Sequence, residues 1–222
     1  MEDRDARTIQ MIGEDGMSVL RSARVLIVGV GGVGSYAAEA IARAGVGTIS
    51  ICDGDQVAAS NLNRQLVALT STIGKNKAEV MAERIRDINP DCKITALPHF
   101  YKNDGDIDLT DFDWIVDAID DVDAKVTLIR RAKELGVNII SAMGAAGKFD
   151  TYFKVADISA TSVCPLAKVM RKRLRAEGIE HLPVVFSEEK AMPRDGELGS
   201  ISYVPGSMGL ELAGYVIKEI IK

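Results

Sequence analysis

Short apolar runs alternate with segments of helical period along the first two thirds of the chain. Val25-Leu26-Ile27-Val28 is a β-rich run stopped by glycines, and Ser35 to Ala44 follows with Ala38, Ile41 and Ala42 on one helical face. Thr48 to Cys52 predicts a second strand. Asn76 to Ile88 predicts a helix, because Met81, Ala82, Ile85 and Ile88 recur at helical spacing. Asn89-Pro90 stops it, since the residue before a proline is pushed out of the α region. Lys93 to Leu97, Asp113 to Ala118 and Val137 to Ser141 predict three more strands. A helix over Asp123 to Leu135 lies before the last of them, with Gly136 as an αL cap. Strands alternating with helices imply right-handed βαβ units and a parallel sheet.

The remaining third is less regular. Phe149 to Ile158 and Pro183 to Ser187 have extended character, and Leu166 to Glu177 is a basic helix. Met192 to Pro205 predicts loop, and Met208 to Ile221 a closing helix. The expectation is one compact α/β domain over residues 1–222. It has a nucleotide-binding core at about 20–145 and an elaboration at about 146–222 that crosses over the sheet.

Composition narrows the classes. The 222 residues carry 27 Lys+Arg and 32 Asp+Glu, a formal charge of −5, with 47% hydrophobic and 27% charged. That excludes disordered, collagenous and coiled-coil chains. Cys52, Cys92 and Cys164 show no paired spacing, hence no disulfide framework and no C-x-x-C zinc knuckle. A reduced, cytoplasmic protein is expected. The charged start lacks an apolar leader, and no run reaches the length of a membrane span. Mild acidity argues against a general nucleic-acid coat but allows a local basic patch.

The densest chemistry follows the first strand. Gly29-Val30-Gly31-Gly32-Val33-Gly34 sits between a strand and a helix. Glycines there let the backbone turn sharply, and the helix N-terminus offers free N–H groups to a phosphate. Asp53, nineteen residues past Gly34 at the end of the second strand, stands where a carboxylate accepts ribose hydroxyls. To this point a nicotinamide site and an ATP site look alike. Cations separate them. A dinucleotide is held mainly by backbone, whereas a reaction at a triphosphate needs Arg and Lys against the charge that builds as pyrophosphate leaves. Arg64 and Lys77 supply that charge, and a carboxylate such as Asp120 would hold Mg²⁺.

With these residues in place the chain resembles the ubiquitin-activating-enzyme-like adenylyltransferase superfamily. The matching pattern is Gly29-x-Gly31-Gly32-x-Gly34, Asp53-x-Asp55, Ser60-Asn61-x-x-Arg64-Gln65, Lys77 and Asp120-Asp121, preceded by Arg4-x-x-Arg7. The resemblance implies a Rossmann-like sheet with ATP and Mg²⁺ as cofactors. It implies that Arg7, Arg64 and Lys77 contact phosphates, with Arg7 commonly reaching the partner subunit's triphosphate. Asp53 would hold ribose, Asn61 orient the phosphates and Asp120 bind magnesium.

The second half is similar to the tRNA threonylcarbamoyladenosine dehydratase branch. The segments concerned are Asp117-Ala118-Ile119-Asp120, Cys164-Pro165-Leu166-Ala167-Lys168, Phe186-Ser187-Glu188-Glu189 and Gly199-Ser200 with Val204-Pro205. This implies a cytoplasmic homodimer acting on tRNA that carries threonylcarbamoyladenosine. ATP would activate the threonyl carboxylate, and an internal nucleophile would close a ring. Sulfur-relay proteins are further candidate partners. Activation of a ubiquitin-like sulfur carrier is the alternative within the superfamily, and the missing zinc cysteines count against it. A dehydrogenase would leave Arg64, Lys77 and Asp120 unexplained, and a non-catalytic scaffold has no need of them.

Two features stay open at this level. Lys168, Arg171, Lys172, Arg173 and Arg175 place five cations within eight residues, either a solvated helix face or a contact for tRNA phosphates. Cys164, with Lys168 four residues on, is either a thioester- or persulfide-forming thiol or a small buried hydrophobe. His99 and His181 are isolated and receive no role.

Overall fold

In the computed structural model, which describes residues 4–222, a seven-stranded sheet forms the centre. The strands are β1 (Arg24–Val28), β2 (Thr48–Cys52), β3 (Lys93–Leu97), β4 (Trp114–Asp117), β5 (Asn138–Ala142), β6 (Lys154–Asp157) and β7 (Pro183–Phe186). Their spatial order is β3-β2-β1-β4-β5-β7-β6. All pairs are parallel except β6 with β7, which is antiparallel at the edge. β1 pairs with β2 through Val28 and Cys52, and with β4 through Val28 and Asp117, so these three strands end together.

Helices cover both faces. They are α1 (Ala6–Ser22), α2 (Gly34–Arg43), α3 (Lys77–Ile88), α4 (Val122–Leu135), α5 (Pro165–Ala176) and α6 (Tyr203–Ile220). Val25 and Ile27 of β1 join one core with Ile41 of α2, Met81 of α3 and Met208 of α6. Leu26 and Val28 join the other core with Ile129 of α4 and Met170 of α5. The strand period of two sends alternate residues to opposite faces, and both faces are dry. That is why β1 reads as an unbroken apolar run rather than an alternating one.

Three elements differ from the sequence expectation. α1 is absent from it: Gly13 and Gly16 dilute the helical signal, and Gly13 at φ 74° interrupts the helix itself. There the chain turns, and Asp5 beside the start of α1 meets Arg21 near its end at 2.9 Å. α6 begins at Tyr203 rather than Met208. Pro205 falls in its first turn, where the missing N–H has no intrahelical acceptor to serve. The expected loop Met192 to Pro205 contains a small hairpin closed by Arg194 and Glu197, with Asp195 (φ 54°) and Gly196 (φ 83°) at its tip. Both tip residues lie at positive φ, as a two-residue hairpin turn demands.

α6 lies close on α2. A Cβ at Gly209 would stand 2.3 Å from the Val33 carbonyl, and one at Gly206 3.0 Å from the Tyr36 ring. Only glycine lets the backbones approach so far. The contact carries Pro205 to the glycine loop, where a Cβ on Gly32 would be 3.0 Å from it. Among the described residues no helix is long and apolar enough to cross a membrane.

Candidate active site

A cavity of about 810 Å³ opens where the parallel strands end. It lies at the β1–β4 boundary, where the strand order reverses and the loops after the two strands diverge. Ligand crevices in open α/β sheets form at that point.

The glycine loop forms its floor. Gly29 has φ 86°, and a Cβ there would sit 2.7 Å from the Ala118 carbonyl. Only glycine allows both the turn and the approach. Asp53 fastens the loop to β2: its Oδ2 accepts from the Val30 N–H and its Oδ1 from the Asp55 N–H, each at 2.8 Å. Burial pushes the Asp53 carboxyl up, opposed by those two N–H bonds and by the Lys77 charge. The N–H groups of Gly31, Gly32 and Val33 find no acceptor among the described residues. They lie at the N-terminus of α2, which favours an anion.

Lys77 is the first residue of α3. Its backbone N–H bonds the Asp55 carbonyl, and its buried ammonium lies 2.8 Å from Asp55 Oδ2. Asn76 sets this geometry. Its Oδ1 caps α3 through the Ala78 and Glu79 N–H groups while its Nδ2 donates to the carbonyls of Asp53 and Asp55. Arg64 lies half-exposed over Gly32, with its guanidinium on the Ser60 carbonyl (2.9 Å) and Asn63 Oδ1 (2.8 Å). Gln65 is buried in the wall, and its Oε1 has no partner among the described residues. A buried acceptor left so is costly, and a ligand hydroxyl or a water repairs it.

The opposite wall is the loop after β4. Asp121 spends one oxygen on the Ala124 N–H as the cap of α4. Asp120 is exposed to the cavity and makes no side-chain bond to any of the described residues. Behind it lies a pair that sequence reasoning missed. Lys125 and Asp117 are both 0% exposed, and Nζ stands 2.9 Å from Oδ2. Lys125 also donates to the Ile119 carbonyl (3.1 Å), Asp117 Oδ1 accepts from the Ile119 N–H (3.1 Å), and Ser141 Oγ donates to Asp117 (2.6 Å). The peptide groups on both sides of Ile119 are therefore held, and Asp120 follows directly. The only signal in the sequence was an apolar strand ending in Asp117 ahead of an α4 whose inner face carries a lysine.

Other expected site residues fall elsewhere. Gly29, Gly31, Gly32, Asp53, Asp55, Arg64, Gln65, Lys77, Asp120 and Asp121 line the cavity together. Gly34, Ser60 and Asn61 do not. A Cβ on Gly34 would meet the Gly29 carbonyl at 1.8 Å, so Gly34 closes the loop from behind. Asn61 Oδ1 holds the Ala58 N–H and shapes the turn that carries Arg64. Arg7 lies on α1, outside its own chain's cavity. Nearby Arg4 pairs with Asp91, just before β3 begins, at the end of the strands away from the cavity. On α5, Arg171 is tied to the Thr161 carbonyl at 2.7 Å, and Arg173 to Asp123 at 2.6 Å on the cavity rim. Lys168, Lys172 and Arg175 are exposed and pair with none of the described residues.

The cysteines are inward. Burial pushes the Cys52 thiol up to about 12 and that of Cys92 up to about 11. Cys164 is buried behind Gly144, where an added Cβ would touch its Sγ at 3.4 Å. Among the described residues no three His, Cys, Asp or Glu side chains gather into a metal cage.

A sequence model of the ThiF family matches residues 3–222. The chain belongs to the ThiF family. Within it, the chain is 40% identical over 233 residues to the tRNA threonylcarbamoyladenosine dehydratase of Bacillus subtilis, covering 95% of this chain and 92% of that relative. It is 40% identical over 173 residues to the Escherichia coli protein of that name, covering 77% of this chain and 65% of the relative. The crystal structure of E. coli tRNA N6-threonylcarbamoyladenosine dehydratase, TcdA, in complex with ATP superposes with a TM-score of 0.90 at 34% identity. The match covers 98% of this chain and 93% of that one.

Proposed function

We propose that this ThiF-family protein dehydrates N6-threonylcarbamoyladenosine in tRNA at the expense of ATP, with the whole chain serving as one adenylating unit. The observation that carries this is the set of free N–H groups at Gly31–Val33 flanked by Arg64 and Lys77, at a cavity with an exposed carboxylate opposite. The likeness to dehydratases across nearly the full chain supports it.

ATP fits the residues present. The N–H groups would take its phosphates, the spare lone pairs of Asp53 its ribose, and Gln65 Oε1 a donor it now lacks. Mg²⁺ fits Asp120, since a magnesium site needs one or two carboxylates and takes its other oxygens from phosphate and water. When bound, it would neutralise charge on the triphosphate.

The reaction is an in-line displacement. The threonyl carboxylate attacks the α-phosphorus, a P–O bond forms, and the α–β bridge breaks to release pyrophosphate. Lys77 and Arg64 stabilise the charge that builds on the leaving group. In the resulting acyl adenylate AMP is the leaving group. An internal nucleophile of the same side chain attacks the carbonyl carbon, loses its proton and expels AMP, so the nucleoside loses one water overall. The protein's contribution is positioning and charge, with no covalent enzyme intermediate.

Arg7 serves this site from a second copy of the chain in a cytoplasmic homodimer, because its own cavity does not include it. The exposed cations of α5 contact the tRNA backbone, and sulfur-relay proteins are candidate partners. The test is AMP release with tRNA bearing the modified nucleoside, unmodified tRNA, or no tRNA. AMP release confined to the modified tRNA, with loss of one water mass from the nucleoside, supports the reading. Silence with every tRNA and turnover with a ubiquitin-like sulfur carrier would overturn it.

A further inference from the structure

The topology divides the cavity into two flanks. Cys52–Asp55 after β2 and Phe100–Lys102 after β3 lie on one side of the glycine loop, and the segment after β5 lies on the other. Asp53, Lys77 and the free N–H groups belong to the first flank and the centre. The second flank supplies none of that machinery.

Its wall has a chemistry of its own. Met143, Gly144, Ala145 and Ala146 run along it, with Leu166 at the start of α5 and Leu198 from the hairpin. None is charged, and the β5 segment is mostly of small residues, which leaves a broad apolar slot. Gly144 has no side chain, and Cys164 lies directly behind it, so the wall is thin there. The hairpin is fastened over the slot. The Gly147 N–H donates to the Gly199 carbonyl at 2.8 Å, and the Met192 N–H to the Gly147 carbonyl at 2.7 Å. Asn63 Nδ2, from the turn that carries Arg64, donates to the Ser200 carbonyl at 3.0 Å. Leu198 is still 55% exposed. Immediately past the wall stand Phe149, 59% exposed, and Tyr152, 70% exposed. The Phe149 and Asp150 N–H groups both bond the Glu189 carboxylate, at 2.8 and 2.9 Å, so the turn presenting Phe149 is held.

We propose that this second flank is the pocket for the modified adenosine itself, turned out of its RNA loop, and that Phe149 and Tyr152 stack against neighbouring bases. This rests on the dehydratase reading. An apolar slot of small residues suits the faces of a purine, and uncharged walls leave the substrate carboxylate no partner except the phosphate centre. A base removed from its stack needs a pocket, and single-stranded neighbours find their binding energy on aromatic faces. Lys168, exposed in the first turn of α5 two residues past Leu166, would hold the backbone of the strand that enters the flank.

Two variants test the assignment. Ala146→Phe fills the slot, and Phe149→Ala removes an exposed ring with little effect on folding. Titration with the non-hydrolysable nucleotide AMPCPP reads the first flank, and AMP release against modified anticodon stem-loop RNA reads the second. The expected result is unchanged nucleotide affinity in both variants. KM for the RNA rises about tenfold or more, as loss of one stacked base implies. Wild-type kcat/KM in Phe149→Ala and Ala146→Phe would overturn the pocket, as would an equal loss of nucleotide affinity. Failure of the wild-type protein to act on the modified RNA would instead overturn the dehydratase reading on which the pocket rests.

Discussion

The Lys125 ammonium lies 2.9 Å from Asp117 Oδ2, with both side chains fully buried, and between them they hold the peptide groups on both sides of Ile119 ahead of Asp120. Removing one partner strands a buried charge, which costs about 3–5 kcal/mol. Lys125→Met is therefore expected to lower unfolding free energy by that amount in a urea titration. Lys125→Met combined with Asp117→Asn should recover most of the loss. Activity should stay low in the double variant, because nothing then donates to the Ile119 carbonyl and Asp120 is no longer aimed. Full AMP release by the double variant would show that the pair supports the fold alone.

Lys77→Ala should fold normally, since alanine is well tolerated at the start of α3. Turnover should fall about 10²- to 10³-fold, the range for loss of one charge-stabilising donor. Arg7→Ala should fall comparably while nucleotide still enters the cavity. Mixing the two inactive proteins should restore activity if Arg7 serves a neighbouring subunit. Continued inactivity of the mixture, with exchange of subunits verified, would refute the arrangement.

Replacing Lys168, Lys172 and Arg175 by alanine should leave nucleotide binding intact and weaken tRNA binding. The dependence of log affinity on log salt should flatten by about 2 to 3, because three phosphate contacts release about that many counterions. An unchanged slope would return the cations to the role of a solvated helix face.

Asp5 anchors α1 through Arg4 and Arg21. The Arg4 hydrogen bond, with help from Arg21 and against burial, holds its carboxyl below the usual carboxylate range. A depressed folded-state pKa contributes stability above the unfolded value, near about 3.9, that is lost as pH falls through the folded one. Asp5→Asn should therefore be less stable than wild type at pH 7 by about 2 kcal/mol, a bond to a charged group. The gap should close toward pH 3. Melting curves across that range check the sign, and a gap that widens in acid would be incompatible with it.

Cys164→Ala should retain turnover, since the mechanism needs no enzyme nucleophile and the Sγ atom lies behind Gly144. Loss of the buried sulfur should cost about 1 kcal/mol of stability. A hundredfold loss of AMP release with an intact fold would establish a covalent role.

Local rules made much of this molecule legible from sequence. The apolar runs at Val25–Val28 and Thr48–Cys52, the period of Lys77–Ile88 and the αL cap at Gly136 (φ 69°) are fixed within a few residues of chain. So is the glycine loop, because a strand followed by Gly29-x-Gly31-Gly32 turns only one way. That Asp53, Lys77 and Asp120 meet at one cavity was readable from their order along the chain. What the sequence could not determine depends on which distant segments meet. Lys125 reads as an ordinary charge on a polar helix until β4 brings Asp117 beneath it. Ser60 and Asn61 share a motif with Arg64 and Gln65, yet the turn points only the latter two into the cavity. Arg7 belongs to the same pattern as Lys77 but lies outside its own chain's cavity, on a helix broken by Gly13. β6 runs antiparallel to β7 because the chain climbs from Asp157 back to the cavity end at Leu166 before α5 descends to the start of β7. In each case spacing along the chain was plain, and the distance through space was set by packing on the two faces of one sheet.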